Sequence, residues 1–515
     1  MVFLRIFSSA TSTLLISTVR KSMRGSKTPL PRSGIMVVAN QRKSDALLAR
    51  GRLLDETETN RWLESATNAG ATYAEVRLVA NQNCAITVRD GELRRAIPGQ
   101  DLGATLRVLA DGAWGVHSTS DIANLGLAVE QTVALAKQVA SRRSSGEKPV
   151  ELAEIPVKQD VIHWAAKRDN RDVDLDEKLQ LLTDLDVAIR TDERIVSTIT
   201  GYSDEHIHTE LLTSEGTDRI WSFQRTVANA VITAREDGEV ASYRSRIGGG
   251  GGFEAVDATD IEALGRKCSE SVLRILSAER APSGRTTLIA DSDLTGVYIH
   301  EALGHPCEAD LVAAGDSCLE GKMGQKIGSD IVSVIDDPTM RMGYGAYPID
   351  DEGVDTRVKN LIVNGVLQEY LNNRETSARF SITPNGGARA QDGLHHPLVR
   401  MSNTLILGGK HRDLDELLED VPDGVYACGS RGGQVDTGRG SFQFAAQEAW
   451  RIENGEITTP LKDVSVSGMT LEILANVDGL CRQGGLASPG YCGKGQIVPV
   501  GDGGPSMRIR DALVG

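Results

Sequence analysis

The chain has 515 residues, more than one hydrophobic core usually organises, and its 40% apolar and 25% charged content is that of an ordinary globular protein. A formal charge of −15, only 4% aromatics and no Lys/Arg cluster after residue 44 argue against a surface that tracks phosphates or stacks on bases, so no direct nucleic-acid partner is expected. No apolar run approaches the ~18 residues that span a bilayer. Seven cysteines scattered from Cys84 to Cys492 do not form a secreted disulfide framework, which points to a reducing, cytoplasmic setting away from membranes.

Residues 1–44 differ from the rest. They hold eight Lys/Arg and no acidic residue before Asp45. This composition fits a tail, a basic targeting leader, or an upstream start with Met23 or Met36 as the true beginning. From Leu54 the pattern becomes that of a folded domain. Glu56–Ala69 has helical spacing closed by Gly70, and strands are expected at Tyr73–Val79, Cys84–Val88 and Ala104–Leu109, with Asp-Gly turns at Asp90-Gly91 and Asp111-Gly112. Ile122–Val139 returns to helical spacing. The polar stretch 141–156 reads as a linker.

A second run of mixed elements follows. Asp176–Arg190 has helical spacing, and strands are expected at Ile195–Ile199, His206–Leu212 and Trp221–Thr233. Gly248–Gly252, five glycines in a row without the Gly-Lys-Ser/Thr ending of a phosphate loop, reads as a flexible loop. Ile261, Leu264, Cys268, Val272 and Leu276 then mark one face of an amphipathic helix, with Cys268 in the core. From Thr286 the chain is rich in short strands, at Thr287–Ala290, Ile331–Ile335, Val358–Val363, Asn403–Leu407 and Val498–Val500. The expected fold is α+β: an N-terminal α/β region (45–145, then 155–282) followed by a strand-rich C-terminal domain (286–515).

The segment His300-Glu301-Ala302-Leu303-Gly304-His305 carries chemistry. It falls on a helix expected after the turn Asp291-Ser292-Asp293, with Asp293 as its N-cap. Metalloprotease helices commonly place two His four residues apart, on one face. Here the separation is five, which on a regular helix leaves the second His about 140° from the first. Both reach one ion only if the last turn unwinds or widens to a π-turn, a departure that Gly304 and Pro306 make feasible. A catalytic metal also needs a third protein ligand. Spacing leaves Cys307, Cys318, Cys428, Cys481, Cys492, His395 and His396 all open.

Other blocks accompany this motif: Ile349-Asp350-Asp351-Glu352-Gly353, Arg400-Met401-Ser402-Asn403-Thr404, Gly432-Gly433-Gln434-Val435-Asp436 and Cys492-Gly493-Lys494-Gly495-Gln496. Together with Gly112-Ala113-Trp114-Gly115 and Ser118-Thr119, they make residues 54–515 resemble the TldD subfamily of TldD/PmbA metallopeptidases. The resemblance implies one zinc ion per chain on His300, His305 and Cys492, with Glu301 as catalytic acid/base. It also implies a peptide substrate, unfolded or small, and a homodimer or a heterodimer with a relative lacking the motif. Two departures stand out. Pro306-Cys307 replaces the usual Gly-Leu, which keeps Cys307 as a rival ligand, and the cysteine block lacks a Glu. The alternative to a peptidase is a non-catalytic or regulatory member of the same family. On their own, the acidic residues of Asp350-Asp351-Glu352 read as a solvated turn, and His395-His396 as a loop before Pro397.

Overall fold

The computed structural model describes residues 51–515, Ser488 apart, so the readings of residues 1–44 fall outside the described residues. The carboxylate of Asp55 accepts the N–H of Glu58 and starts a helix over Glu56–Asn68. The chain then enters β1 (Tyr73–Arg89), β2 (Glu92–Ala110) and β3 (Ala113–Thr119). Asp90-Gly91 and Asp111-Gly112 both take positive φ at the two turns, the geometry that keeps twisted antiparallel strands in register. The two strands expected between Tyr73 and Val88 are therefore one. The expected helix over Ile122–Val139 begins as a 3₁₀ segment, Ile122–Ala128, before the α-helix Val129–Ser141.

Beyond residues 141–156 come β4 (Gln159–His163), a helix over Leu175–Ile189, β5 (Ile195–Thr213), β6 (Asp218–Glu236) and β7 (Glu239–Gly250). The sheet order is β3-β2-β1-β5-β6, with β4 and β7 both paired to β6, and only β4 runs parallel to its neighbour. β1 pairs with β5 from Glu75↔Thr213 to Arg89↔Ile199. The segments 45–145 and 155–282 thus share one sheet across the linker, because joining β1 to β5 removes two long open edges.

The glycine run is not a flexible loop. Gly248–Gly250 end β7, and the N–H of Gly250 donates to the Met342 carbonyl while that of Gly251 donates to Gln224. A Cβ on Gly250 would lie 2.0 Å from the Arg341 carbonyl oxygen, and one on Gly252 would lie 1.9 Å from that of Arg168. Repeated glycine lets backbone meet backbone there, which is order rather than freedom.

The C-terminal half holds two larger sheets around one core. In one, Gly284–Ala290 pairs in parallel with Asp423–Asp436 and antiparallel with Met507–Val514. Ser465–Met469 connects the latter to Ser441–Glu453, which pairs back to Asp423–Asp436 and closes a ring. In the other, Ile497–Gly504 lies between Asn403–Ile406, in parallel, and the short strand Gly490–Gly493.

The first sheet meets this half along Ile349–Gly353. Asp350 and Glu352 are buried, contrary to a solvated turn. Glu352 accepts from Arg107 at 3.1 Å and from the Arg374 N–H, while Arg107 also holds Glu75 at 2.7 Å. Arg77 pairs with Asp351, and Arg219 donates to the Gly353 carbonyl. Asp351 and Glu352 thus meet guanidiniums of the sheet, while Asp350 accepts the backbone N–H groups of Glu352, Val354 and Ala388. No helix among the described residues is long and apolar enough to cross a membrane.

Candidate metal centre

The site begins where Asp291, rather than Asp293, caps the helix Ser292–Tyr298 by accepting from the Leu294 N–H. Two acidic residues flank Ser292, and only the first sits at the extended position before the helix. Ile299–Gly304 then widens into a π-turn in which the His305 N–H donates to the carbonyl of His300, five residues back. The widening brings the imidazoles together, with ring centroids 5.4 Å apart at 86°. Gly304 permits it, since a Cβ there would lie 2.0 Å from the Met401 sulfur. A 3₁₀ turn over His305–Cys307 follows, with Pro306 inside it.

Cys492 arrives from elsewhere, on the hairpin that pairs Gly490–Gly493 with Ile497–Val500. Ligand atoms of His300, His305 and Cys492 all lie within 4.8 Å of one another, and all three residues are buried. The Cys492 sulfur is 3.1 Å from His305 Nε2. Of the other cysteines and histidines that spacing left open, none joins this cluster among the described residues. Cys307 points into the C-terminal core instead, where burial pushes its thiol up. His395 bonds Asp392, and the His396 carbonyl accepts from Gln496. Glu301 has its Oε2 3.7 Å from His305 Nε2, and its side chain is 30% exposed.

Burial works against charge on all three cluster residues, yet their mutual attraction prevails. The neighbouring imidazoles bring the Cys492 thiol down to about 4, and His300 rises to about 9. His305 is likewise raised, with Glu308 as the strongest attraction. These opposed shifts favour a thiolate beside charged imidazoles while the metal is absent, and a divalent cation binds there by displacing protons from the ligand atoms. His305 Nδ1 bonds the buried Glu308 at 2.8 Å, which leaves Nε2 as the ring atom that faces Cys492, and His300 Nδ1 is buried without a hydrogen-bond partner. Two imidazoles and a thiolate make a nitrogen–sulfur donor set of the kind that suits zinc.

Residues without an assigned role in the sequence hold this geometry. Glu308 also meets Lys494 at 3.2 Å, and Lys494 in turn pairs with Asp310 at 2.8 Å. Arg400 donates to the carbonyls of Cys492 and Gln496, tying the first arm of the hairpin to its turn. Lys494-Gly495-Gln496 closes the hairpin in three residues, with Gly495 at φ +68° and the Lys494 N–H on the Gln496 carbonyl. Arg400 and Lys494 lie in the motif blocks noted above, but Glu308, three residues after His305, carried no signal beyond its charge.

Comparison with known proteins agrees across most of the chain. Residues 283–515 match the PmbA/TldA metallopeptidase C-terminal domain, 168–276 the central domain and 74–136 domain 1. A metalloprotease of Methanothermobacter thermautotrophicus is 44% identical over 445 residues, covering 86% of this chain and 95% of its own. A zinc metalloprotease TldD homolog of Saccharolobus solfataricus is 29% identical, covering 88% and 99%. Among solved structures, a protein of Thermotoga maritima described as a putative modulator of a DNA gyrase superposes with TM-score 0.72 at 20% identity, over 89% of this chain and all of its own. TldE of Thermococcus kodakarensis superposes with TM-score 0.69 at 16% identity, over 88% of this chain and 99% of its own.

Proposed function

The chain belongs to the PmbA/TldD metallopeptidase family, and from that premise we propose that it is a zinc-dependent peptidase acting on small or unfolded peptides. The observation that carries this reading is the convergence of His300, His305 and Cys492 within 4.8 Å beside the carboxylate of Glu301. The three would hold one zinc ion, and a site of three protein ligands would keep a position open for chemistry. Zinc, when bound, supplies Lewis acidity that lowers the pKa of water and polarises a peptide carbonyl.

The chain's own residues do the rest. Glu301 accepts the proton of the attacking water and returns it to the leaving amine. Its side chain is partly exposed where the ligands are buried, so it can reach both water and a bound peptide. Glu308 fixes the tautomer of His305, and Arg400 fixes the height of Cys492. All seven cysteines are free, which suits a reducing cytoplasmic setting. The same proposal includes assembly as a homodimer, or as a heterodimer with a relative lacking the motif.

Metal content and cleavage of a flexible peptide, measured on the wild type and Glu301→Gln, test this reading. Both proteins should carry zinc, because Gln removes a base and not a ligand. Turnover in the variant should fall by about 10²–10⁴-fold, the range of general acid–base catalysis. Near-wild-type turnover in Glu301→Gln would end the mechanism.

A further inference from the structure

A cavity of about 830 Å³ opens between the first sheet and the C-terminal half. Its floor is a patch of that sheet, where the cross-strand neighbours Thr209–Trp221, Ile207–Phe223 and Glu205–Arg225 all line the space. Tyr347, Arg389, Tyr491 and Pro499 line it from the other side. None of His300, Glu301, His305 or Cys492 borders it. Successive residues of a strand face opposite ways, so Tyr491 looks into the cavity while Cys492 looks into the metal cluster. The hairpin is a wall common to both.

Three guanidiniums reach this lining, and each is at least nine-tenths buried: Arg77 at 1% exposure, Arg225 and Arg389 at 5%. Arg77 is held by Asp351 at 3.2 Å and by backbone carbonyls, yet its Nε is buried without a partner. Arg225 has Glu205 at 3.7 Å, and its Nε is also buried and unpartnered. Arg389 donates only to the carbonyls of Met401 and Pro499 and forms no ion pair among the described residues.

The acidic side chains of the lining are already engaged. Asp351 takes Arg77 and the Ala390 N–H, Asp392 takes His395 and the Leu394 N–H, Asp101 takes Asn83, and Glu205 takes Asn81 and, at 3.7 Å, Arg225. Burial lowers the Arg389 guanidinium to about 10; Tyr347 opposes this, while the charges of Arg225 and Arg400 add to it. Buried cations with donors left unmade are costly, and a guanidinium fork matches a carboxylate in two parallel hydrogen bonds.

We propose that this cavity is a second binding site, for a carboxylate on an apolar body: the free C-terminus of a short peptide, held by Arg225 and Arg389 beside Phe223 and Tyr347. The site stands apart from the zinc cluster and does not depend on the peptidase reading.

Calorimetric titration of the full chain with an alanyl-alanyl-phenylalanine tripeptide, as free acid and as C-terminal amide, tests it. The acid should bind about tenfold or more tightly than the amide, the worth of one charge-assisted hydrogen bond. That preference should persist in His300→Ala, which disables the metal cluster, and should fall below about threefold in Arg389→Gln. Ile497 stands at the rim, 57% exposed, so Ile497→Trp preserves the fold and should weaken acid and amide alike by narrowing the cavity. Three results would overturn the proposal. The first is equal binding of acid and amide. The second is a preference that disappears in His300→Ala, which would assign the carboxylate to the metal cluster. The third is inorganic phosphate binding more tightly than the tripeptide acid.

Discussion

His305 turns its Nε2 toward Cys492 because Glu308 occupies Nδ1, and Glu308 is itself positioned by Lys494 and, at 3.8 Å, by Arg400. Burial alone would raise the Glu308 carboxyl, but His305 first, then Lys494 and Arg400, hold it down to about 2 from an ordinary 4.5. A depressed carboxyl contributes stability that is fully present above its unfolded pKa and is lost as pH falls through the folded one. The melting temperature of Glu308→Gln should therefore lie below the wild type by a constant margin from pH 7 to 5. The margin should close as pH drops from about 4.5 toward 2. A margin that stays constant through that window would show that Glu308 is not charged in the folded protein.

At the scale of elements, the π-turn is the feature that makes a five-residue His spacing usable. Gly304→Ala should overpack against Met401 and cost about 1–3 kcal/mol in denaturant unfolding, with weaker metal retention. Gly485 has nothing within 4 Å of its Cβ position, so Gly485→Ala should stay within about 0.5 kcal/mol of the wild type. Equal costs at the two positions would remove the packing argument for Gly304. Much of this was legible in the sequence: the spacing of His300 and His305 demanded an unwound or widened turn, and Gly304 and Pro306 marked where. Other features were not. Asn81-Gln82-Asn83 reads as a break between strands, yet β1 runs through it, because Asn81 faces the cavity and tolerates polarity in mid-strand. The glycine run reads as looseness because the contacts that need it, from Arg168 and Arg341, are distant in sequence. The convergence of Cys492 on the histidines likewise depends on a hairpin 187 residues away, which the resemblance implied and local pattern could not reach.

At the scale of the whole molecule, the two halves are joined by buried charge. Glu352→Ala would leave Arg107 buried with one carboxylate instead of two and should cost about 3–5 kcal/mol, the range for breaking a buried pair. The exposed pair Arg52–Glu56 gives the contrast, and Glu56→Ala should change stability by about 1 kcal/mol or less. Similar effects of the two substitutions, measured by unfolding, would refute the seam as a source of stability. The site depends on the same long-range assembly, since one cluster gathers a helix end, a π-turn and a distant hairpin. Its central claim is that His300, His305 and Cys492 together hold the zinc. Zinc per chain, measured on purified wild type, Cys492→Ala and Cys307→Ala, tests that claim most directly. The account predicts about one zinc in the wild type and in Cys307→Ala, and loss of most of it in Cys492→Ala. Zinc that survives Cys492→Ala but falls with Cys307→Ala would contradict it.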